Sequence, residues 1–395
     1  LSVAALGISK SEGLFDLSRK VSRPYAYFFT CLLYLTIGPF FAIPRCATTA
    51  FTVGIEQAVP QAAERLRLWL LVFSAVFFAA ALLFSLFPGK ILTWVGKILN
   101  PFFLLFLGIL IIVALVKPSA AISAVAPEGA YASQAFSTGF LEGYNTMDVL
   151  AGLAFGIIVV QVIRELGVTD ADAVASSTVK AGVFSSLLMA LIYLAVTVVG
   201  AQSRGLFATS ENGGIALAQI ARHYLGSAGL VILAATVTLA CLKTSVGLIT
   251  SCAETFCGMF PKGPGYRAWA VLFTLISFAL SNFGLSTIIS YSVPVLMFLY
   301  PLAIALVLLA LFGRFYRHDR AVYISVIVCT LLAALYDLIC ALPEGLYDAL
   351  HADAVQAFGL RVLPFAGAGL GWICPLALGF VIGLAVHLMQ KFRTK

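Results

Sequence analysis

The chain has 395 residues, a length that soluble proteins usually divide into two or three domains of roughly 150 residues each. Its composition excludes that class, because 62% of the residues are hydrophobic and only 10% are charged, whereas soluble proteins carry about 25% charged residues. The net charge of +7 does not indicate a nucleic-acid partner, since no basic patch alternates with base-stacking aromatics. The sequence therefore predicts an all-α protein that crosses a lipid bilayer several times.

The start of the chain and its cysteines indicate no secretory signal, disulfide or metal site. Leu1–Ile8 is apolar but too short to cross a bilayer, and no basic segment precedes it as in a secretory signal. We interpret it as the end of a longer helix, with a short interfacial segment as the alternative. The eight cysteines form no C-x-x-C pair and have no nearby histidine. We expect them to act as small buried hydrophobic side chains rather than as disulfides or metal ligands.

Ten apolar segments qualify as membrane spans, and one domain should hold them all. They lie approximately at Tyr25–Ile55, Leu68–Phe87, Ile98–Val116, Thr146–Ile163, Val179–Gly200, Leu230–Phe260, Ala268–Asn282, Ser286–Phe312, Ala321–Leu342 and Gly369–Leu388. The first and sixth are long enough to tilt strongly or to project beyond the lipid. The seventh is marginal in length.

The lysines and arginines predict the orientation of these spans, because cytoplasmic connections are enriched in them. Most of them lie in alternate connections, at Lys10–Arg23, Lys90–Lys97, Arg164–Lys180, Lys262–Arg267, Arg314–Arg320 and Lys391–Lys395. This bias places the C-terminus in the cytoplasm. The long connections Pro118–Asn145, Ala201–Gly229 and Pro343–Ala368 then lie outside, and Asn212–Tyr224 within them reads as a short helix over the outer mouth.

The fourth span, Thr146–Ile163, is short and contains Gly152 and Gly156 on either side of Phe155. A short span broken by glycine is a pointer to a transporter site, because the ends of the half-helices present their dipoles to a bound zwitterion. The alternative is that the glycines only permit close helix packing. We predict non-helical backbone within about Leu150–Gly156.

The first span carries Pro39 and Pro44, and its Tyr34 and Gly38 share one helical face. This face either lines a pocket with an aromatic hydroxyl or belongs to a kinked structural helix. The residues alone leave both readings open. Pro101, Pro294 and Pro301 in later spans predict kinks.

The sixth span places the adjacent hydroxyls of Thr244 and Ser245 near mid-membrane. With a backbone carbonyl such as that of Cys241 they suit a hard monovalent cation, but such hydroxyls often bond back to their own helix instead. Lys243 and Glu254 are costly to place in lipid, so they should face protein or water.

Several motifs resemble the branched-chain amino acid transport system II carrier proteins of bacteria. They are G-P-F-F-A-I-P-R-C-A-T at 38–48, L-F-P-G-K at 86–90, G-Y-N-T-M-D at 143–148, F-G-I-I-V at 155–159, A-C-L-K-T-S-V-G-L at 240–248, S-N-F-G-L-S at 281–286 and S-V-P-V-L at 292–296. The resemblance extends from Leu1 to about Ile382.

This resemblance implies the LeuT-type inverted-repeat fold of the amino acid–polyamine–organocation superfamily. The ten spans would be its helices 3 to 12, with Leu1–Ile8 the end of helix 2 and helix 1 absent, as in a fragment that could not transport alone. Helices 1 and 6 of that fold are broken and hold the substrate. Thr146–Ile163 would be helix 6, so we expect Phe155, Gly152 and Tyr34 to border one cavity.

The resemblance implies a cation-coupled symporter, not an enzyme, that imports leucine, isoleucine and valine across the bacterial inner membrane. It implies no cofactor beyond the coupling ion and indicates no obligate protein partner. The candidate substrate-binding residues are Tyr34, Gly38, Phe40, Thr146, Asp148, Gly152, Phe155 and Gly156. The candidate sodium ligands are Cys241, Thr244 and Ser245, and the candidate coupling residues are Lys243 and Glu254.

Three alternatives stay open at this point. Lys243 stands where the family leads us to expect an apolar residue, so its charge could replace sodium and let protons do the coupling. The same fold could carry another small neutral solute. A membrane-embedded enzyme or a channel is a more distant reading, because the four histidines are scattered and repeated polar rings are missing.

Overall fold

The computed structural model describes residues 13–57, 63–87, 90–168, 170–313 and 315–393. Within them all regular structure is helical, and each of the ten predicted spans falls on a helix. The α-helices are α1 Leu14–Arg19, α2 Arg23–Leu35, α3 Ala42–Val53, α4 Ala63–Leu86, α5 Lys90–Val116, α6 Tyr131–Glu142, α7 Asp148–Glu165, α8 Ala171–Ser203, α9 Gly213–Met259, α10 Tyr266–Ser281, α11 Leu285–Phe312, α12 Arg320–Cys340, α13 Glu344–Ala349, α14 Ala352–Val362 and α15 Ile373–Arg393.

Length and hydropathy qualify seven stretches of the described helices to cross a membrane. They are Arg23–Val53, Arg65–Leu86, Ala173–Ser203, Gly213–Met259, Leu285–Phe312, Arg320–Cys340 and Ile373–Gln390. Pro101–Val116 and Tyr266–Ser281 are shorter apolar helices. The chain is therefore an all-helical, multi-pass membrane protein, as predicted. The LeuT-type repeat and the missing first helix stay predictions.

The helices form two compact units. Unit 1 comprises residues 1–34, 127–189 and 290–395, and unit 2 comprises 35–126 and 190–289. Each unit is a group of helices assembled from separate stretches of the chain, because helices distant in sequence pack together within it. The single transporter domain expected from the sequence stays a prediction.

Unit 2 is organised around α9. This helix packs against α3, α4, α5 and α10, and its Leu233 and Val237 lie in a buried cluster with Phe106 and Leu110 of α5. Its first part confirms the helix predicted at Asn212–Tyr224, since Asn212 caps its start and Gly226 interrupts it with a positive φ of 66°. The position of this helix over an outer mouth stays a prediction.

In unit 1 the closest packing joins α12 to α15. Gly379 and Gly383 lie four residues apart on α15, and a Cβ at either would come within 2.7 Å of the α12 backbone at Val326 or Val322. Because small residues let transmembrane helices approach closely, these two glycines fix the contact. The sequence-based interpretation did not include this motif.

The first span is kinked where the sequence places Pro39. Between α2 and α3 lies a π-helical turn, Thr36–Phe40, in which Gly38 has non-helical angles of φ −103° and ψ −122°. Proline removes a backbone donor and opens the helical ladder at such a point. The predicted kink is confirmed, whereas a pocket along this face stays a prediction.

Candidate substrate and coupling sites

The break next to the fourth span lies at Met147, not among the glycines. Helix α6 is followed by a 3-10 turn, Gly143–Thr146, and Met147 then adopts the left-handed region at φ 59°, ψ 14° before α7 starts at Asp148. A non-glycine residue in this region is uncommon and marks a functional or strained position. The chain here forms two helices that meet at a sharp interruption.

The predicted break within Leu150–Gly156 is therefore wrong. Helix α7 runs without interruption from Asp148 to Glu165, because Gly152 and Gly156 both adopt helical angles at buried positions. The connection Pro118–Asn145 contains α6, a helix that the sequence-based interpretation did not include. The usable signal was the run N-T-M-D, because Thr and Asp are typical of the residues that begin a helix.

Two predicted substrate-binding residues, Thr146 and Asp148, lie on either side of the break. The Thr146 hydroxyl donates to the Gly143 carbonyl at 2.8 Å and lies 3.5 Å from the Asp148 amide nitrogen. Asp148 places its carboxylate in the first turn of α7, where it interacts favourably with the helix dipole. A substrate ammonium group is the part of an amino acid that such a carboxylate attracts.

Two tyrosines stack beside this break. The rings of Tyr144 and Tyr300 have centroids 4.0 Å apart and planes at 10°, and both side chains are buried. The Tyr300 hydroxyl faces Thr146 and the backbone of Val149. Sequence reasoning did not select either tyrosine, because Tyr300 lies on α11, far from the turn in sequence.

Tyr34 reaches α7 one turn beyond its start. Its buried hydroxyl donates to the Ala154 carbonyl at 3.0 Å, which places it beside Phe155, itself half-buried. Gly152 and Gly156 are buried on the same helix. The structure therefore brings Tyr34 to the segment where the sequence predicted it, while the cavity that these residues were expected to share stays a prediction.

Gly38 and Phe40 belong to unit 2. A Cβ at Gly38 would lie 2.6 Å from the Cys252 Sγ of α9, so the absence of a side chain lets the kinked turn pack against that helix. Phe40 is 37% exposed and makes an edge contact with Phe41. The structure gives both a packing environment, and their substrate-binding role stays a prediction.

The hydroxyls of Thr244 and Ser245 diverge, and the predicted sodium site, which also includes the Cys241 carbonyl, stays a prediction. Thr244 is exposed and donates to the Ala240 carbonyl at 2.9 Å, the back-bonding that was the alternative. Ser245 is fully buried, its Oγ has no hydrogen-bond partner among the described residues, and it lies near Cys46. Cys241 also lies near Cys46. Successive helical residues point about 100° apart, which explains the divergence.

The predicted coupling residues also lie on α9, Lys243 directly before Thr244 and Glu254 nearer the end of the helix. Lys243 is half-buried and Glu254 is exposed on the protein surface. Among the described residues, neither forms a recorded ion pair. Their side chains therefore occupy separate environments, and the coupling role of each stays a prediction.

Comparison with known proteins decides the family. The family model described as "Branched-chain amino acid transport protein" matches residues 1–390. The chain belongs to this family. It is 51% identical to the branched-chain amino acid permease BrnQ of Lactobacillus delbrueckii subsp. lactis over 100% of this chain and 87% of that protein. It is also 36% identical to BrnQ of Bacillus subtilis, with the same coverage.

A more distant bacterium gives the same result. BrnQ of Escherichia coli K12 is 36% identical over 97% of this chain and 84% of that protein. The family resemblance drawn from the motifs is confirmed. The relatives are named as permeases rather than enzymes, in agreement with the prediction that this family member is not an enzyme.

Proposed function

We propose that the protein is a secondary transporter that imports leucine, isoleucine and valine across the bacterial inner membrane, with its C-terminus in the cytoplasm. The observation that carries this proposal is the helix interruption at Met147. The chain also belongs to a family whose relatives are named branched-chain amino acid permeases. Irregular backbone inside a membrane is tolerated where protein buries it or where it lines a cavity. Interrupted helices of transporters bind substrate at such points.

The two helices at the break supply complementary groups for an amino acid. The start of α7 directs its backbone amide groups toward a carboxylate, and Asp148 offers a carboxylate for the ammonium group. The neighbouring side chains of Phe155 and Leu153 supply apolar surface for a branched side chain. An apolar pocket separates substrates that differ by one methylene group by only ~1–3 kcal/mol, so all three amino acids should be accepted.

Uptake of labelled leucine by the full-length protein in proteoliposomes tests this proposal. Unlabelled isoleucine and valine should compete with leucine at similar concentrations, whereas alanine, glutamate and lysine should compete much more weakly. Asp148→Asn should weaken leucine uptake, and Asp353→Asn, at an exposed site on α14, should not. Competition by alanine that matches isoleucine would instead favour a carrier of other small neutral solutes.

We propose that a cation gradient drives the import, with sodium at Cys241, Thr244 and Ser245 as one reading and a proton as the other. The Thr244 hydroxyl donates its hydrogen to the Ala240 carbonyl, which leaves its oxygen lone pairs available to a cation, so this bond is compatible with both readings. Uptake with choline in place of sodium separates the two readings. If leucine uptake by the native protein does not need sodium but uptake by Lys243→Val does, the coupling is assigned to the lysine charge.

A further inference from the structure

Asp337 stands apart from every other ionisable residue that the structure describes. It lies on α12 about one turn before Cys340, and it is the only acidic or basic side chain among the buried ones, at 7% exposed. No described cationic side chain forms an ion pair with it. An ionisable residue inside a membrane segment is costly to keep and usually marks an ion or proton pathway.

Three further buried polar groups lie together, and one of them, on Tyr144, is near this carboxyl. They are the hydroxyls of Tyr144 and Tyr300 and the Nε1 of Trp372, and none has a hydrogen-bond partner among the described residues. Tyr144 connects them, because it faces Asp337 and Trp372 and stacks on Tyr300. We call these four residues, which all belong to unit 1, the Tyr144 cluster.

Such a cluster is unusual, because buried polar groups nearly always find partners in the protein or in an ordered water. Three such groups linked through Tyr144, which lies near Asp337, favour an ordered water at this place. A carboxyl buried without a cation is held at lower cost as the neutral acid than as the anion. The apolar environment thus favours proton uptake by Asp337 whenever water from one side reaches it.

The surroundings of Asp337 contain little else that titrates. Tyr144 faces it from the 3-10 turn, and Tyr336 and Cys340 face it from its own helix. Of the helices packed against α12, α14 presents the Gln356 carbonyl to Tyr336, and the start of α15 presents the Trp372 indole to Tyr144. Asp337 is therefore the only carboxyl of the cluster.

The position of Tyr144 links this carboxyl to the helix break. Tyr144 belongs to the 3-10 turn directly before Met147, and its stacking partner Tyr300 faces Thr146 and Val149 at the start of α7. A change of charge at Asp337 alters the hydrogen bonds available to Tyr144. It thereby acts on the turn that joins the two helices of the proposed substrate site.

We propose that Asp337 in the Tyr144 cluster is the protonation site that couples proton movement to amino acid import. Its carboxylate takes a proton from hydronium on the side predicted to face outward, which forms the O–H bond and leaves water. The proton returns to water on the cytoplasmic side after the helices at Met147 rearrange. This proposal rests on the proposed transport function and adds the coupling ion and its residue.

Asp337→Asn tests the proposal, because asparagine keeps the size of the acid but cannot gain or lose the proton. Exchange of internal for external leucine needs no net proton movement, so the variant should keep this exchange within about twofold of the native rate. It should lose accumulation driven by a pH gradient, with the ratio of internal to external leucine falling to about one. Proton entry, followed with a trapped pH dye, should no longer accompany leucine.

A matched variant shows that the effect belongs to this residue. Asp353→Asn removes an exposed carboxylate of α14 and should retain pH-driven accumulation. If Asp337→Asn does not fold, Tyr144→Phe decides, since losing the hydroxyl that faces Asp337 should shift the pH at which uptake is half-maximal by about one unit or more. An unshifted profile would overturn the proposal.

The outcomes for this proposal and for the transport function are distinguishable. Absence of both leucine exchange and leucine uptake in the native protein would contradict the transport function itself. Native leucine exchange together with pH-driven accumulation that survives Asp337→Asn would overturn only the proton site. Native accumulation that follows sodium and ignores pH would overturn it as well.

Discussion

Substituting Gly38 by alanine should destabilise the protein through a defined steric contact. The added Cβ would lie 2.6 Å from the Cys252 Sγ, about 1 Å inside the ordinary separation of ~3.5–4.0 Å between non-bonded heavy atoms. Both residues are buried, so the overlap cannot relax into solvent. Overpacking of this kind costs about 1–3 kcal/mol, equivalent to ~2–4 °C in the melting temperature per kcal/mol for domains of roughly 150–250 residues.

A double-mutant cycle isolates this contact. Cys252→Ala removes the sulfur and leaves the Cβ of residue 252 at 3.8 Å, an ordinary contact distance. Gly38→Ala should therefore cost much less in the Cys252→Ala background than in the native protein. Gly247→Ala is the control, since its Cβ would meet nothing within 4 Å and should leave the melting temperature unchanged or slightly raised.

Thermal unfolding in detergent or lipid nanodiscs, followed by the loss of the monodisperse fraction, provides the measurement. An unchanged melting temperature in Gly38→Ala, or a cost unaffected by Cys252→Ala, would refute the steric reasoning. The double variant also separates the two readings of Gly38. Restored stability with native leucine uptake would assign Gly38 a structural role, whereas restored stability with impaired uptake would support the predicted contact with substrate.

Three further predictions follow from hydrogen bonds in the structure. Tyr34→Phe should lower the free energy of unfolding by about 0.5–1.5 kcal/mol, seen in the melting temperature, because it removes the 3.0 Å bond to Ala154. Asn212→Ala should cost about 0.5–2 kcal/mol by uncapping α9, whereas Asn212→Asp should keep most of the cap. The hydrogen bond from His387 holds the pKa of Asp319 below its usual value of 3.8, so its stabilising contribution is present at neutral pH. That contribution should be lost as the pH falls through the lowered pKa. Melting curves of Asp319→Asn recorded between about pH 7 and pH 3 should therefore lack this acid-dependent loss of stability. An equal acid dependence in the variant and in the native protein would contradict the assignment.

The sequence predicted helices at the apolar segments because hydrophobic length alone indicates them, although seven rather than ten stretches of the described helices qualify as membrane spans. The kink at Pro39 and the capped helix at Asn212 also follow from local chemistry. Such features depend on residues close together in the chain. They are therefore visible without knowledge of the tertiary structure.

The break at Met147 could not be placed correctly from glycine content. Gly152 and Gly156 adopt ordinary helical angles, while a methionine holds the left-handed conformation. Tertiary packing around the turn, including the Tyr144–Tyr300 stack, selects this conformation against the local preference. A pattern search for flexible residues therefore pointed to the wrong side of Asp148.

The Tyr144 cluster was missed for a different reason. Its members come from the 3-10 turn, α11, α12 and the residue before α15, so no spacing along the chain connects them. Lys243 and Glu254 attracted attention because they lie within one span, yet neither is buried as Asp337 is. Burial, which decides the cost of a charge in a membrane, appears only once the helices are packed.

Leucine accumulation tests the central claim most directly. Full-length protein in sealed proteoliposomes should concentrate labelled leucine above the external concentration when an inward proton or sodium gradient is imposed. Collapsing the gradient with the matching ionophore should release the excess. Leucine that only equilibrates across the membrane under every gradient, or that does not enter at all, would contradict the account.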